Sequence, residues 1–164
     1  MMFIESEGER FPLTRPTEED WQWIEDTLVE AQRVSVPPMY EGASEERIKE
    51  MARQNADLQR RDGLENELFL LKDGAGTRIG CLWMMITEHE IAGERSGFIA
   101  HIYVSPEWRG RGLARALIRF GEEWTASKGL RTMAMAVSAV NERAVRLYRS
   151  MGYEVERMCL SREL

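Results

Sequence analysis

The spacing of apolar and polar positions changes period several times along the chain, and each change predicts a new element. Phe11 to Arg15 predicts a short strand. Pro16-Thr17 followed by Glu18, Glu19 and Asp20 predicts a helix start, with acids where the positive end of the helix dipole favours them. Trp21, Ile24 and Leu28 then recur at helical spacing. That helix must end before Pro37, because Pro37 and Pro38 offer no amide donors and proline restricts the residue before it. Ser44 predicts the cap of a second helix with Ile48, Met51 and Leu58 on one face, closed at Gly63.

From Glu67 the period shifts. Leu68 to Leu71 and Ile79 to Ile86 are apolar runs around the turn-rich Asp73-Gly74-Ala75-Gly76, which predicts a hairpin, and the second run is apolar on both faces, as a strand buried between layers must be. A polar loop is expected over Thr87 to Gly97, then a strand over Phe98 to Val104. A helix over Gly110 to Lys128 follows, carrying Leu113, Leu117, Phe120 and Trp124 at helical spacing and stopping at Gly129. Arg131 to Val137 predicts a further strand. Asn141 opens a helix with Ala144, Leu147, Tyr148 and Met151 along one side, Gly152 stops it, and Tyr153 to Leu160 predicts a last strand. Helices interleaved with strands indicate an α/β fold whose sheet is covered on both faces. With no repeat or low-complexity tract, a single domain over residues 1–164 is expected.

Composition narrows the function. Hydrophobic residues make up 43% and charged residues 30%, ordinary globular usage. A formal net charge of -6 works against broad attraction to nucleic acid or an anionic membrane, while leaving room for a local basic pocket. No stretch approaches the roughly 20 apolar residues that span a bilayer, and MMFIESEGER lacks the basic-then-apolar order of a secretion signal, so a cytoplasmic location is expected. Cys81 and Cys159 sit in apolar runs, without CxxC spacing or a neighbouring His; they read as core thiols, and no metal is expected. A nucleophilic role for either would need a nearby base or helix start, which neither has locally.

The chemistry concentrates in Val104-Ser105-Pro106-Glu107-Trp108-Arg109-Gly110-Arg111-Gly112-Leu113-Ala114, a strand running through a glycine turn into a helix start. The first amides of a helix lack internal partners and lie at its positive end, so glycines that let the backbone approach closely make a cradle for phosphate. Arg109 and Arg111 add positive charge. By themselves, Gly110 and Gly112 fit an ordinary tight turn as well. The stretch lacks the three spaced glycines and acidic ribose partner of a dinucleotide fingerprint, and Leu113-Ala114 after Gly112 rules out a Walker loop.

This stretch resembles the acyl-CoA-binding motif of the GNAT superfamily of N-acyltransferases, written Arg or Gln, two residues, Gly, one residue, then Gly or Ala; Arg109, Gly112 and Ala114 fit it. A second segment, Asn141-Glu142-Arg143-Ala144-Val145-Arg146-Leu147-Tyr148-Arg149-Ser150-Met151-Gly152-Tyr153, resembles the same superfamily's Asn-x-x-Ala-x-x-Leu-Tyr-x-x-x-Gly-aromatic segment, in the expected order. Arg15-Pro16-Thr17-Glu18-Glu19-Asp20-Trp21 is similar to the opening of many members.

The resemblance implies a mixed, mostly antiparallel sheet with helices on both faces, in which the Phe98 to Val104 and Arg131 to Val137 strands form a splayed central pair. The pantetheine arm of acetyl-CoA would lie between them against Ile102, Tyr103 and Val104, with its pyrophosphate over Arg109, Gly110, Arg111, Gly112, Leu113 and Ala114. Asn141 would contact the cosubstrate or cap its helix. An amine would attack the thioester directly without a metal, and Tyr148 would protonate the departing thiolate. Where some relatives carry a Glu base, five residues before the Asn, this chain has Ala136, leaving the base unassigned. His101 is the nearest alternative, although it shares strand parity with Tyr103 and not with Ile102, and His89 is more remote. Many relatives continue with two strands after the final helix; here Tyr153 to Leu164 has room for one, which would expose a sheet edge that a second copy could cover as a homodimer. The acceptor pocket is expected from the first two helices, the Val36 to Tyr40 loop and the Thr87 to Gly97 loop; Glu41, Glu88 and Glu90 could attract a cationic amine, but scattered acids more often form a solvated surface. Ala136 also keeps open an alternative, a non-catalytic acyl-CoA-binding or regulatory domain, against which Tyr148 argues.

Overall fold

Turn chemistry sets the strand pairs in the computed structural model, which describes residues 1–61 and 65–164. Asp73 accepts the amides of Ala75 and Thr77 on Oδ1 at 2.9 and 2.8 Å, closing the turn between β3 (Asn66–Lys72) and β4 (Arg78–Glu88) as an antiparallel hairpin. Upstream lies a hairpin that the sequence reading missed in part: β1 (Met2–Ser6) pairs with β2 (Glu9–Thr14) across Glu7 and Gly8, both in left-handed conformation. A two-residue turn with both φ positive matches the twist of paired strands, and Glu7-Gly8 was the available signal.

The helices follow their caps. After a 3₁₀ turn at Glu18–Asp20, α1 runs Trp21–Arg33 and ends before the prolines. Ser44 accepts the amide of Arg47 at 3.2 Å to start α2 (Glu45–Gln59). The face of α2 that packs differs from expectation: Ala52 and Ala56 are buried, while Leu58 is exposed, because small residues let α2 lie close against α1. Gly63 lies outside the described residues. Strand β5 (Arg95–Val104), α3 (Leu113–Ser127), β6 (Met133–Met135) and α4 (Glu142–Ser150) complete the order.

Among the described residues the sheet has six strands in sequential order, antiparallel except for parallel β5 and β6. One face packs Leu113, Leu117 and Ile118 of α3 on Leu82, Met84 and Ile99; the other packs Ile24 and Leu28 of α1 and Ala52 and Ala56 of α2 on Leu70, Cys81 and Trp83. Each fully buried leucine or isoleucine contributes about 2 kcal/mol by removal from water. No helix among the described residues is long and apolar enough to cross a membrane.

Five expectations are corrected. The loop expected over Thr87 to Gly97 shrinks to residues 89–94, because β4 and β5 stay paired out to Glu88 and Arg95. The strand expected over Arg131 to Val137 shrinks to Met133–Met135. Tyr153 to Leu160 forms no strand: it has no ladder partner, and Val155, Met158 and Leu160 are exposed. The splayed pair therefore stands at the edge of the sheet, and Cys159, expected in the core, is exposed. Cys81 is buried as expected, and burial pushes its thiol up to about 12, which keeps it protonated and inert.

Candidate functional site

The site begins where β5 outruns β6. Their ladder pairs Gly97 with Met133, Phe98 with Ala134 and Ile99 with Met135, then stops, leaving Ala100 to Val104 unpaired on that side. On the opposite side, β4 pairs Trp83 with His101 and Met84 with Ile99, so Ala100 is an extra residue, a β-bulge. The bulge sends Ala100 and His101 toward α1 and α2, and returns Ile102 and Val104 to the α3 face. A strand edge whose backbone groups, apart from the Val104 carbonyl, lack partners on that side is thus exposed beside an open gap.

At the end of β5 a 3₁₀ turn at Pro106–Trp108 leads into the glycine loop. Gly110 has φ of 81° and Gly112 of 74°, a left-handed region costly for residues with a Cβ. Gly112 is the N-cap of α3 and brings no side chain to the first-turn amides, and that turn carries no acid. Those amides stay available for an anion. From below, Ser6 Oγ donates to the Arg111 carbonyl, and a Cβ on Gly112 would lie 2.8 Å from that hydroxyl oxygen.

Each of the two arginines of the loop is ion-paired with an acid of the protein. Arg109 donates through Nε to the Val104 carbonyl at 2.8 Å and through Nη2 to Glu30 Oε1 at 2.9 Å. Arg111 pairs with Glu9 at 2.7 Å and stacks its guanidinium over Trp108 at 4.5 Å. Glu30, on α1, also accepts the Tyr103 hydroxyl at 2.5 Å, and burial together with this carboxylate pushes the Tyr103 phenol up to about 12. Glu30 was missed from sequence. It is one of several acids on an amphipathic helix, and only the tertiary packing of α1 on β5 singles it out.

The other wall is α4. Asn141 accepts the Ala144 amide on Oδ1 at 3.3 Å as the N-cap, which leaves its amide nitrogen free to donate elsewhere. Tyr148, two turns on, is half-buried with its ring edge-on to Tyr153, and burial raises its phenol above the usual range. A cavity of about 530 Å³ joins these parts. It brings together Ile102, Tyr103, Val104, Arg109, Gly110, Gly112, Leu113, Ala114, Asn141 and Tyr148; Arg111 does not line it. Its size is that of a small-molecule site.

The candidate bases fare differently. His101 is buried on the far side of β5, where its Nε2 lies 2.9 Å from Thr27 Oγ1. The one hydroxyl proton of Thr27 goes to the Ile24 carbonyl at 2.7 Å, so His101 Nε2 carries the hydrogen of that contact. Burial lowers the His101 pKa to about 4. His89 is engaged in its own loop: Nδ1 accepts the amides of Ile91 and Ala92, and Nε2 meets Glu156 at 2.5 Å. Ala136 lies exposed just past β6. None of the three lines the cavity.

Residues 3–153 match the family described as "Acetyltransferase (GNAT) family". A mycothiol acetyltransferase from Thermobispora bispora is 40% identical over 88 residues, covering 52% of this chain and 29% of that protein, so the chain spans less than a third of that relative's length. An aminoglycoside N(6')-acetyltransferase type 1 from Stenotrophomonas maltophilia is 29% identical over 93 residues, 55% of this chain and 61% of that one. The fold matches a Pyrococcus furiosus structure provisionally assigned as an acetyl transferase, with a TM-score of 0.77, 22% identity, and coverage of 94% of this chain and 99% of the other.

Proposed function

Because this chain belongs to the acetyltransferase (GNAT) family, we propose that it transfers an acetyl group from acetyl-CoA, the acyl donor of that family, to an amine. The observation that carries the reading is one cavity bordered by the free first-turn amides of α3, the unpaired edge of β5 and the side chain of Tyr148. The amides suit a diphosphate, and the unpaired edge from Ala100 to Val104 suits the amide-bearing pantetheine arm. Acetyl-CoA brings the activated thioester. The ammonium of the acceptor loses one proton to solvent, the amine nitrogen bonds to the thioester carbon and sheds a second proton to solvent, and the C–S bond breaks. Tyr148 then gives its hydroxyl proton to the departing sulfur and recovers one from solvent. The raised phenol pKa keeps that proton in place at neutral pH.

The acceptor remains a chemical class, a primary amine of a small molecule or peptide. Calorimetry with CoA and acetyl-CoA, followed by amine-dependent release of free CoA across an amine panel, tests the proposal. Micromolar binding without release by any amine would favour a second reading, a non-catalytic acyl-CoA-binding domain. That reading draws on one observation: the carboxylate on the cavity wall, Glu30, is tied to Tyr103 and Arg109, and no histidine lines the cavity.

A further inference from the structure

A cavity that takes a cationic amine can select it by charge or by the shape of its carbon skeleton. Charge offers little here. Among the described residues the charged side chains that line the cavity are Arg109, Arg115, Arg143 and Glu30, and the lone carboxylate is already held by Arg109 and Tyr103. An acceptor with a second or third ammonium group would have to desolvate each one where no free carboxylate receives it.

Apolar contact remains, and it lies on the α1 wall. Ala31 and Val34, one turn apart at the end of α1, both line the cavity. Val34 is the C-cap of that helix and stays 55% exposed, belonging to neither core. The loop that follows carries more of the same. Pro37 and Pro38 stiffen it into a 3₁₀ turn, Pro38–Tyr40, in which the Tyr40 amide donates to the Pro37 carbonyl at 2.8 Å. Met39 and Tyr40 on this turn are 42% and 54% exposed, and the Tyr40 side chain has neither hydrogen bond nor ring contact among the described residues. At the base of the loop Arg33 donates to Glu45, at the start of α2, through both Nε and Nη2. Exposed apolar side chains on a stiffened, braced loop that leaves a cavity wall form a contact surface whose ordering cost is met before a ligand arrives.

We infer that the acceptor is a monoamine with an apolar or aromatic carbon skeleton, seated against Val34 and the Pro38–Tyr40 turn, and that polycationic amines are poor substrates. The inference rests on the acetyl-transfer reading. Val34 and Tyr40 are then specificity residues, which touch the skeleton of the acceptor and take no part in the chemistry at its nitrogen.

The test is steady-state release of free CoA by the full chain at saturating acetyl-CoA, with ethylamine, hexylamine, 2-phenylethylamine, spermidine and kanamycin as acceptors. From ethylamine toward hexylamine, kcat/KM should rise about threefold per methylene, and 2-phenylethylamine should exceed spermidine and kanamycin by about tenfold or more. Val34→Ser and Tyr40→Ala should each raise KM for 2-phenylethylamine about fivefold, with kcat, acetyl-CoA affinity and melting temperature unchanged, a split that a merely structural role would not produce. Val34→Leu should keep that KM within about twofold. Val34→Asp, which supplies the missing carboxylate, should shift preference toward spermidine by about tenfold. Polycations used as well as 2-phenylethylamine, or a KM unmoved in both Val34→Ser and Tyr40→Ala, overturn the inference and leave acetyl transfer standing. No CoA release with any of these amines, although acetyl-CoA binds, would instead sink the acetyl-transfer reading, and the inference with it.

Discussion

The two faces of β5 have opposite characters. Toward α1 and α2, polar side chains are matched: His101 meets Thr27 away from the cavity, and at the cavity wall Tyr103 meets Glu30, which also holds Arg109. Toward α3 and α4, Ile102 and Val104 border a cavity where, among the described residues, first-turn amides and the Arg143 side chain lack protein partners. Matched groups stabilise; unmatched groups beside a cavity are what a ligand can use. His101, attractive as a base because histidine titrates near neutrality, belongs to the matched face.

The largest expected effect tests that placement. A histidine held neutral in the fold with a pKa near 4, against 6.5 when free, binds a proton in the unfolded chain between those values and not in the folded one. Its contribution is therefore intact above pH about 6.5 and is lost as pH falls toward 4, amounting to about 3 kcal/mol. Urea unfolding at neutral and acidic pH should show this loss in the wild type and a flatter profile in His101→Gln. Equal profiles would move His101 out of the matched face and reopen its candidacy as a base.

Next comes Tyr148→Phe on the open face. The ring and its packing remain while the proton goes, so turnover should fall about 100-fold, the low end for a lost general acid, because a thiolate is a fair leaving group. Melting temperature and acetyl-CoA affinity should hold nearly steady. Wild-type turnover under rate-limiting chemistry would make Tyr148 a packing residue. The smallest effect is at Glu30→Gln: loss of the carboxylate should return the Tyr103 phenol toward its ordinary titration range, followed by tyrosinate absorbance. Stability should change by about 1 kcal/mol or less, since this pair is partly solvated. An unmoved Tyr103 titration would show that Glu30 does not hold it.

What the sequence disclosed was local. Caps at Ser44 and Asn141, the Asp73 turn and the glycines at 110 and 112 all act within a few residues of themselves, and each was legible. The assignments that failed depend on partners far along the chain. Leu58 has the right spacing for a buried face, yet the approach of α1 and α2 favours Ala52 and Ala56. Tyr153 to Leu160 has strand-like composition but no neighbour to complete a ladder. Glu30 and Arg109 are 79 residues apart, and nothing in either stretch announces their meeting. The Ala100 bulge is equally silent, since an inserted residue shows only against the partner strand.

The brace beneath the glycine loop also bears on the order of folding. Ser6 reaches the Arg111 carbonyl across 105 residues, and Glu9 reaches Arg111 across 102. Contacts of such long sequence separation carry a large loop-closure entropy and form once nearer pairs, such as the β3–β4 hairpin, have shortened the effective loop. The glycine loop is thus a late product of folding: a refolding chain should regain most of its secondary structure before it regains the proposed place for the acyl donor.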